Sequence, residues 1–391
     1  MSPKNLLVIT NSFPDEKDQT IGSIFVKEQL RYVCSRFDQV HVFSPSMFGI
    51  GHRPKALFKD YTYGNVHVHF LNYFNIPFGL RFMREVFVKL MAKAISNEVD
   101  RIGVRFDLVH AHFTWPSGRV AVELKRRYKF PVVITEHTSL TFARAIAKKD
   151  KQFVKAWTGC DRIVRNVSSD VGEFQKVGIP PEKVAYIPNG FDSSKFRSLD
   201  KVECRRKLNL PEDMRILLSV GMLDEVKGFH HLVDAMADVH RARDDVMCVI
   251  VGGGMLQGAL ETQILRHGLT DFVKLAGRKP YGEMPLWMNA CDMLAHSSLS
   301  ESGPMVMFEA MACGRPYVGT RVGSVPDVVT SDDYGLVCAP GDPSALSGII
   351  LKALDVDWSA EKIIAHARKF DWSETVKPLL SIYDELLVRT T

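Results

Sequence analysis

Short apolar runs alternate with amphipathic segments along most of this 391-residue chain. In the first half, strands are predicted at Leu6–Thr10, Val40–Phe43, Leu108–His112, Pro131–Thr135 and Ala185–Pro188, with helical periodicity over Ile24–Cys34, Phe82–Ile95 and Phe142–Trp157. The second half repeats the style, with strands at Ile216–Val220, Met247–Val251, Val273–Ala276, Met293–His296, Pro316–Gly319 and Gly335–Cys338. Apolar strands alternating with helices build parallel sheets covered on both faces, so two such series predict an α/β protein of two doubly wound domains. The turn formers Pro188, Asn189 and Gly190 follow a strand and place the boundary near Ile187–Asp192. Open α/β sheets bind ligands at the carboxyl ends of their strands, so a cleft lined by strand ends of both domains is the expected site.

Composition adds exclusions. Hydrophobic residues make up 46% and charged residues 24%, as in a globular protein, which excludes a disordered or collagen-like chain. No apolar run is long enough to span a bilayer as a helix. Met1–Thr10 has a short apolar core and no small-residue cleavage site, so it reads as a first strand and not a signal peptide, and the expected location is cytoplasmic. Seven cysteines without a CxxC pair read as buried free thiols, and neither a disulfide framework nor a zinc site is expected. Residues 1–190 hold 28 Lys and Arg against 17 Asp and Glu, whereas the remainder holds 22 against 28. A basic half suits an anionic partner such as a phospholipid surface or a phosphorylated acceptor, or is simply a solvated face. No nucleic-acid module is apparent, and nucleic acid is not an expected partner.

The densest chemistry lies in Ser300–Pro316. A strand ending near Ser297 runs into a Gly303–Pro304 corner, Pro304 suits a helix start, and Gly314 suits its stop. The open amides at such a helix start, with the positive end of its dipole, form an anion site. Glu301 and Glu309 bracket it, and carboxylates accept hydrogen bonds from sugar and ribose hydroxyls.

This segment resembles the E-x7-E signature of retaining GT-B glycosyltransferases, specifically glycosyltransferase family 4 (glycosyltransferase group 1). The resemblance implies the GT-B fold, two Rossmann-like domains facing across a cleft: an acceptor-side domain over 1–190, a nucleotide-sugar donor domain over 191–370, and a closing helix over 371–391 that crosses back to the first domain. It implies that Glu301 contacts the donor hexose, that the backbone of Gly303, Pro304, Met305 and Val306 holds sugar hydroxyls and phosphates, and that Glu309 binds the ribose. Ser219–Gly228 looks like the family loop in which an Arg and a Lys hold the donor diphosphate. Lys227 matches the Lys, whereas Met222 stands where the Arg is often found; Arg278, near the expected donor base, is a candidate substitute.

The glycine-rich run Val251–Gly258 misses the G-x-G-x-x-G spacing and reads as a tight strand–helix corner, which disfavours dehydrogenase chemistry. In the first half, Gln19–Phe25 resembles the family's first glycine loop, with Gly22 allowing close backbone approach. His110 and His112 share one strand face, and only the terminal one is expected to clear the strand edge. His112 matches the family histidine that approaches the reacting sugar. Glu136 and His137 end the next strand and either bind the acceptor or hydrogen-bond the adjoining loop.

Transfer of a glycosyl group puts negative charge on a departing diphosphate, which fixed cations and amides can stabilise without a metal. The expected enzyme is a retaining hexosyltransferase with no cofactor and no metal, using a nucleotide-sugar donor, UDP- or GDP-linked, and a glycan or lipid-linked acceptor of the kind used in polysaccharide biosynthesis. Arg81, Arg84, Lys89 and Lys93, interleaved with Phe87, Leu90 and Met91, suit a helix resting on an anionic membrane surface, and Leu124–Lys129 adds a second basic patch. A core helix with a charged outer face is the other reading, and peripheral attachment to the inner face of the cell membrane stands as an expectation. Two further functions stay open: a nucleotide-sugar epimerase of the same fold and a non-catalytic sugar-nucleotide binding protein.

Overall fold

The apolar runs pair into two separate sheets in the computed structural model, which describes residues 4–18, 22–48, 58–74 and 83–388. The chain divides between Pro188 and Asn189, and residues from Thr375 onward belong again with the first unit.

In the first unit the strands are β1 (Asn5–Thr10), β2 (Gln39–Phe48), β3 (Tyr61–Tyr63), β4 (Val66–Phe74), β5 (Leu108–His112), β6 (Val132–Glu136), β7 (Arg162–Arg165) and β8 (Val184–Tyr186). Their order is β3-β4-β2-β1-β5-β6-β7-β8. The crossover from β4 back past β2 and β1 to β5 is the doubly wound topology, and all pairs are parallel except β3 on β4. β1, β5 and β6 are buried on both faces, hence their mainly apolar character.

Three sequence expectations change here. The single helix over Phe142–Trp157 is two helices, Leu140–Ala147 and Lys151–Gly159, because Lys149 adopts φ 46° and the Asp150 carboxylate then caps the amides of Gln152 and Phe153. The hairpin β3–β4 lies outside the predicted set because its strands carry histidine and tyrosine in place of an apolar run. β7 hides behind its two arginines; Arg165 is buried, and its guanidinium is held by Asp170 and by the Glu136 carbonyl.

The helix Arg84–Ile102 buries Phe87 and Met91 in the core of the first unit. Arg84 lies over the Trp115 ring and pairs with Asp150 at 2.6 Å. Lys125, Arg126 and Arg127 of the second basic patch each pair with an acid: Asp161, Glu123 and Asp100. Arg81 and Phe82 lie outside the described residues. The helix Trp372–Val388 contributes Tyr383, Asp384 and Glu385 to the first unit, bonded to His110, Arg36 and Arg162 respectively.

The second unit holds β9 (Arg215–Val220), β10 (Val246–Val251), β11 (Val273–Gly277), β12 (Met293–His296), β13 (Tyr317–Thr320) and β14 (Gly335–Cys338). They form one all-parallel sheet in the order β11-β10-β9-β12-β13-β14, with an apolar core on each face. The chain reverses direction of winding between β9 and β12, where Rossmann-like sheets place ligands. All seven cysteines are free thiols, and burial pushes those of Cys160, Cys248 and Cys291 up to about 12. Among the described residues no helix is long and apolar enough to cross a membrane.

Candidate functional site

At the carboxyl end of β12 the chain turns through Ser297–Pro304 into the helix Met305–Ala312. Pro304 occupies the cap position just before that helix, and Gly314, with φ 76°, ends it. The first helical amides, those of Met305 and Val306, have no partner inside the helix and form its positive end. Asn189 donates to the Gly303 carbonyl at 2.8 Å, and Ser324 N–H donates to the Ser302 carbonyl at 2.7 Å, so the loop is tied from two sides.

Glu301 is the centre of this loop. Its Oε1 accepts from Lys227 Nζ at 2.6 Å and from Ser298 Oγ at 2.8 Å, and lies 3.4 Å from His296 Nε2. Burial raises the pKa of the carboxyl, but the His296 hydrogen bond and the charge of Lys227 outweigh it and hold the group near 2, so it is ionised at neutral pH. Glu309 sits on the buried side of the helix, where Tyr281 donates to its Oε1 at 2.9 Å.

Glycines bring the two candidate diphosphate cations onto neighbouring loops. The stem of Lys227 lies over Gly221 after β9, and that of Arg278, just past β11, lies over Gly253 after β10. A Cβ on Gly252 would stand 1.8 Å from the Gly221 carbonyl oxygen, so the run after β10 is a tight corner packed on the neighbouring loop. Arg278 is exposed, and Met222 is 61% exposed.

The strand ends of the first unit hold a different cluster. His112 Nδ1 lies 2.9 Å from His137 Nε2, while His112 Nε2 is buried with no hydrogen-bond partner. His112 does not clear the strand edge as expected: it is 1% exposed, because the chain turns back at Phe113, with φ 73°, and the rings of His110 and His137 cover it. Burial, then the neighbouring His110 and His137, hold the His112 imidazole well below its ordinary range; burial and His110 do the same for His137. Both rings are therefore neutral. Glu136 is fully buried, with Oε2 accepting from Thr114 N–H and Oε1 from the amide and hydroxyl of Thr138, so its carboxylate ties down the loops after β5 and β6. Of the two roles left open for it, loop bonding is the one its contacts fill. Gly22 rests against Ser12, and the left-handed residue of that turn is Ser23, φ 55°. Gln19–Ile21, the rest of the expected glycine loop, lies outside the described residues.

His296, Ser298, Tyr281 and Tyr317 were not singled out from sequence. A histidine closing an otherwise apolar strand, Met293–His296, was the available signal for the first. Among the described residues no group of three His, Cys, Asp or Glu side chains is arranged to hold a metal ion.

A sheet of Rossmann type with a carboxylate–lysine pair and an open helix start at its strand ends, in a chain that carries a second doubly wound sheet, defines the GT-B class of glycosyltransferases. The chain belongs to glycosyltransferase family 4, group 1: residues 200–370 match the family described as Glycosyl transferases group 1, and residues 22–195 match Glycosyltransferase Family 4. It is 30% identical over 304 residues to a D-inositol 3-phosphate glycosyltransferase of Acidothermus cellulolyticus, covering 72% of this chain and 68% of that protein. A protein of the same name from Salinispora tropica is 31% identical over 325 residues, covering 75% and 67%. Among solved structures, sucrose-phosphate synthase from Thermosynechococcus elongatus superimposes with a TM-score of 0.82 at 20% identity, covering 99% and 100% of the two chains. Anabaena HepE in complex with UDP-glucose gives 0.76 at 20% identity, covering 97% and 99%.

Proposed function

We propose that this chain is a retaining glycosyltransferase that moves a hexose from a UDP- or GDP-linked donor to a hydroxyl acceptor. The observation that carries the reading is the ion pair of Lys227 with Glu301 beside the open start of the helix Met305–Ala312. In this reading the bond between the anomeric carbon and the diphosphate oxygen breaks, and its electron pair stays on the diphosphate. Lys227, Arg278 and the amides of Gly303, Met305 and Val306 stabilise that charge, with no metal or cofactor assigned a part. The acceptor oxygen bonds to the anomeric carbon on the face the diphosphate leaves, and its proton passes to a leaving phosphate oxygen. Glu301 accepts from sugar hydroxyls and Glu309 from the ribose. On the first unit, the stacked pair His112 and His137 is assigned to the side of the reacting sugar and the acceptor, His112 acting through His137, and Gly22 to the donor loop.

The donor is tested by thermal stabilisation against UDP-, GDP- and ADP-sugars, with Glu309→Ala as control. Ligand at about 100-fold its dissociation constant adds about 2.7 kcal/mol at a single site. A selective shift that is lost in the variant supports the reading; no shift with any sugar nucleotide overturns it. The anomeric configuration of the product, read by proton NMR, decides retention.

For the acceptor, a glycan or lipid-linked hydroxyl at a membrane is favoured by one outer ridge of the helix Arg84–Ile102, where Val86 and Leu90 stand exposed beside Lys89 and Lys93. The pairing of Arg84 and of Lys125 to Arg127 with acids narrows the membrane reading to that ridge. Binding to vesicles containing anionic lipid, weakened in Lys89→Glu/Lys93→Glu, supports it; sedimentation that does not depend on anionic lipid overturns it. The relatives' names favour a second reading, a phosphorylated cyclitol acceptor, and inositol 3-phosphate belongs in the activity panel.

A further inference from the structure

The backbone of Phe113 holds a conformation that bulky residues avoid, with φ 73° and ψ 133°. Among the described residues the other non-glycines of positive φ, Asp18, Ser23, Lys129, Lys149 and Asn209, are all polar. Glycine takes such dihedrals freely, whereas a side chain there stores strain that the surroundings must hold. They hold it from both sides: Phe113 N–H donates to the Thr135 carbonyl at 2.8 Å, and the Phe113 carbonyl accepts from Gly118 N–H at 2.9 Å. Gly118 itself has no room for a side chain, since a Cβ would stand 2.8 Å from Ile134 Cδ1. This turn delivers a ring. The Phe113 ring lies 5.2 Å from that of His137 and 6.2 Å from that of Phe25, and Phe25 lies 4.5 Å from His137. All three are half-buried. Phe113 directly follows β5, His137 directly follows β6, and Phe25 is the second residue of the helix Ile24–Val33 that comes after β1. β1 lies between β2 and β5, so the chain winds away on one side and resumes on the other, and doubly wound sheets bind ligands in the crevice at that point.

We propose that Phe113 and Phe25 are the platform on which the acceptor ring lies, and that the acceptor is therefore a cyclic polyol, a sugar or a cyclitol, docked by its C–H face. This deepens the acceptor reading given above and rests on it. The C–H bonds of a saturated ring carry a slight positive charge and the face of a phenyl ring is negative, so the two attract while the hydroxyls point outward. An open-chain polyol has no such flat face and loses more freedom on binding. His137 packs against both phenyl rings and fixes their mutual tilt. Strain of the kind stored at Phe113 collects where a ligand is held, and here its counterpart is a ring presented at the crevice.

Saturation-transfer NMR reads the platform directly, because the probes carry no aromatic protons. With the aromatic protons of the protein irradiated, at least one of inositol 3-phosphate and methyl β-D-glucopyranoside is expected to receive signal on its ring C–H protons, and glucitol, an open-chain polyol, much less. That signal is expected to fall about fivefold in Phe113→Gly and in Phe25→Leu, and to persist in Phe113→Tyr, which keeps the flat face. No signal on either ring compound, an equal signal on glucitol, or an undiminished signal in Phe113→Gly overturns the proposal. Stability checks the premise: Phe113→Gly, freed of strain, is expected to melt above Phe113→Ala, the reverse of the usual order. If it melts below, the strain is absent and the proposal falls with it. The donor reading fails separately, when no sugar nucleotide shifts the melting temperature, since the ring signal needs no donor.

Discussion

Lys227 and Glu301, 74 residues apart in the sequence, meet at 2.6 Å at the strand ends of the second unit. The contact depends on Gly228, whose φ is 60° and where a Cβ would stand 2.3 Å from the Ser297 carbonyl oxygen. That close approach lays the loop carrying the lysine against the loop carrying the glutamate.

The pair makes stability depend on acid in a defined window. The Glu301 carboxyl is held near 2 in the folded protein against an ordinary value of 4.5. Its contribution is therefore fully present above about pH 4.5 and is lost as pH falls toward 2, about 3 kcal/mol in all. Glu301→Gln is expected to flatten the fall of the melting temperature across that window. A variant as acid-sensitive as wild type would contradict the assignment.

In catalysis Glu301→Gln is expected to lower kcat by about a hundredfold, the scale of losing a charged group aimed at the reacting sugar. Lys227→Met is expected to weaken UDP and UDP-glucose alike, because the diphosphate is common to both. Steady-state kinetics and calorimetry separate the two patterns.

Tyr281 acts through Glu309, to which it donates at 2.9 Å. Tyr281→Phe leaves a buried carboxylate oxygen short of one donor and is expected to cost about 1 kcal/mol, a loss of several-fold in nucleotide affinity. Binding of the free nucleotide is the measurement, since the sugar plays no part in it.

Glu136→Gln is expected to destabilise the first unit by about 1–3 kcal/mol while leaving donor affinity untouched, because the carboxylate serves Thr114 and Thr138. An unchanged melting temperature with a raised acceptor KM would return Glu136 to the acceptor site.

The His112 and His137 imidazoles, depressed by burial, stay neutral in the folded protein, whereas unfolded histidine takes up a proton near 6.5. Below that pH the unfolded state binds more protons, so stability declines as pH falls. The rate profile between about pH 6 and 8 is expected to carry no ionisation that disappears in His112→Gln.

Much of this was legible in the chain because parallel strands buried on both faces are mainly apolar. β5, β12 and β14 stand where their runs predicted them, and the helix between Pro304 and Gly314 has the limits its corner residues set. Elements whose polar groups are satisfied by partners elsewhere in the chain stayed hidden: β7 holds Arg165, which Asp170 and the Glu136 carbonyl help make tolerable, and β3–β4 is an aromatic and histidine hairpin. Glu301, Glu309 and Lys227 were readable from spacing and resemblance. His296 and Tyr281 were not, since their importance lies in what they touch across long stretches of sequence.

The first unit draws on Tyr383, Asp384 and Glu385, which follow the whole of the second unit in the sequence. A ribosome delivers those residues only after that second unit. The emerging first unit must wait, with His110 and Arg162 lacking these partners, while an entire second fold is made, so a cut before Thr375 would harm the end of the sequence farthest from it.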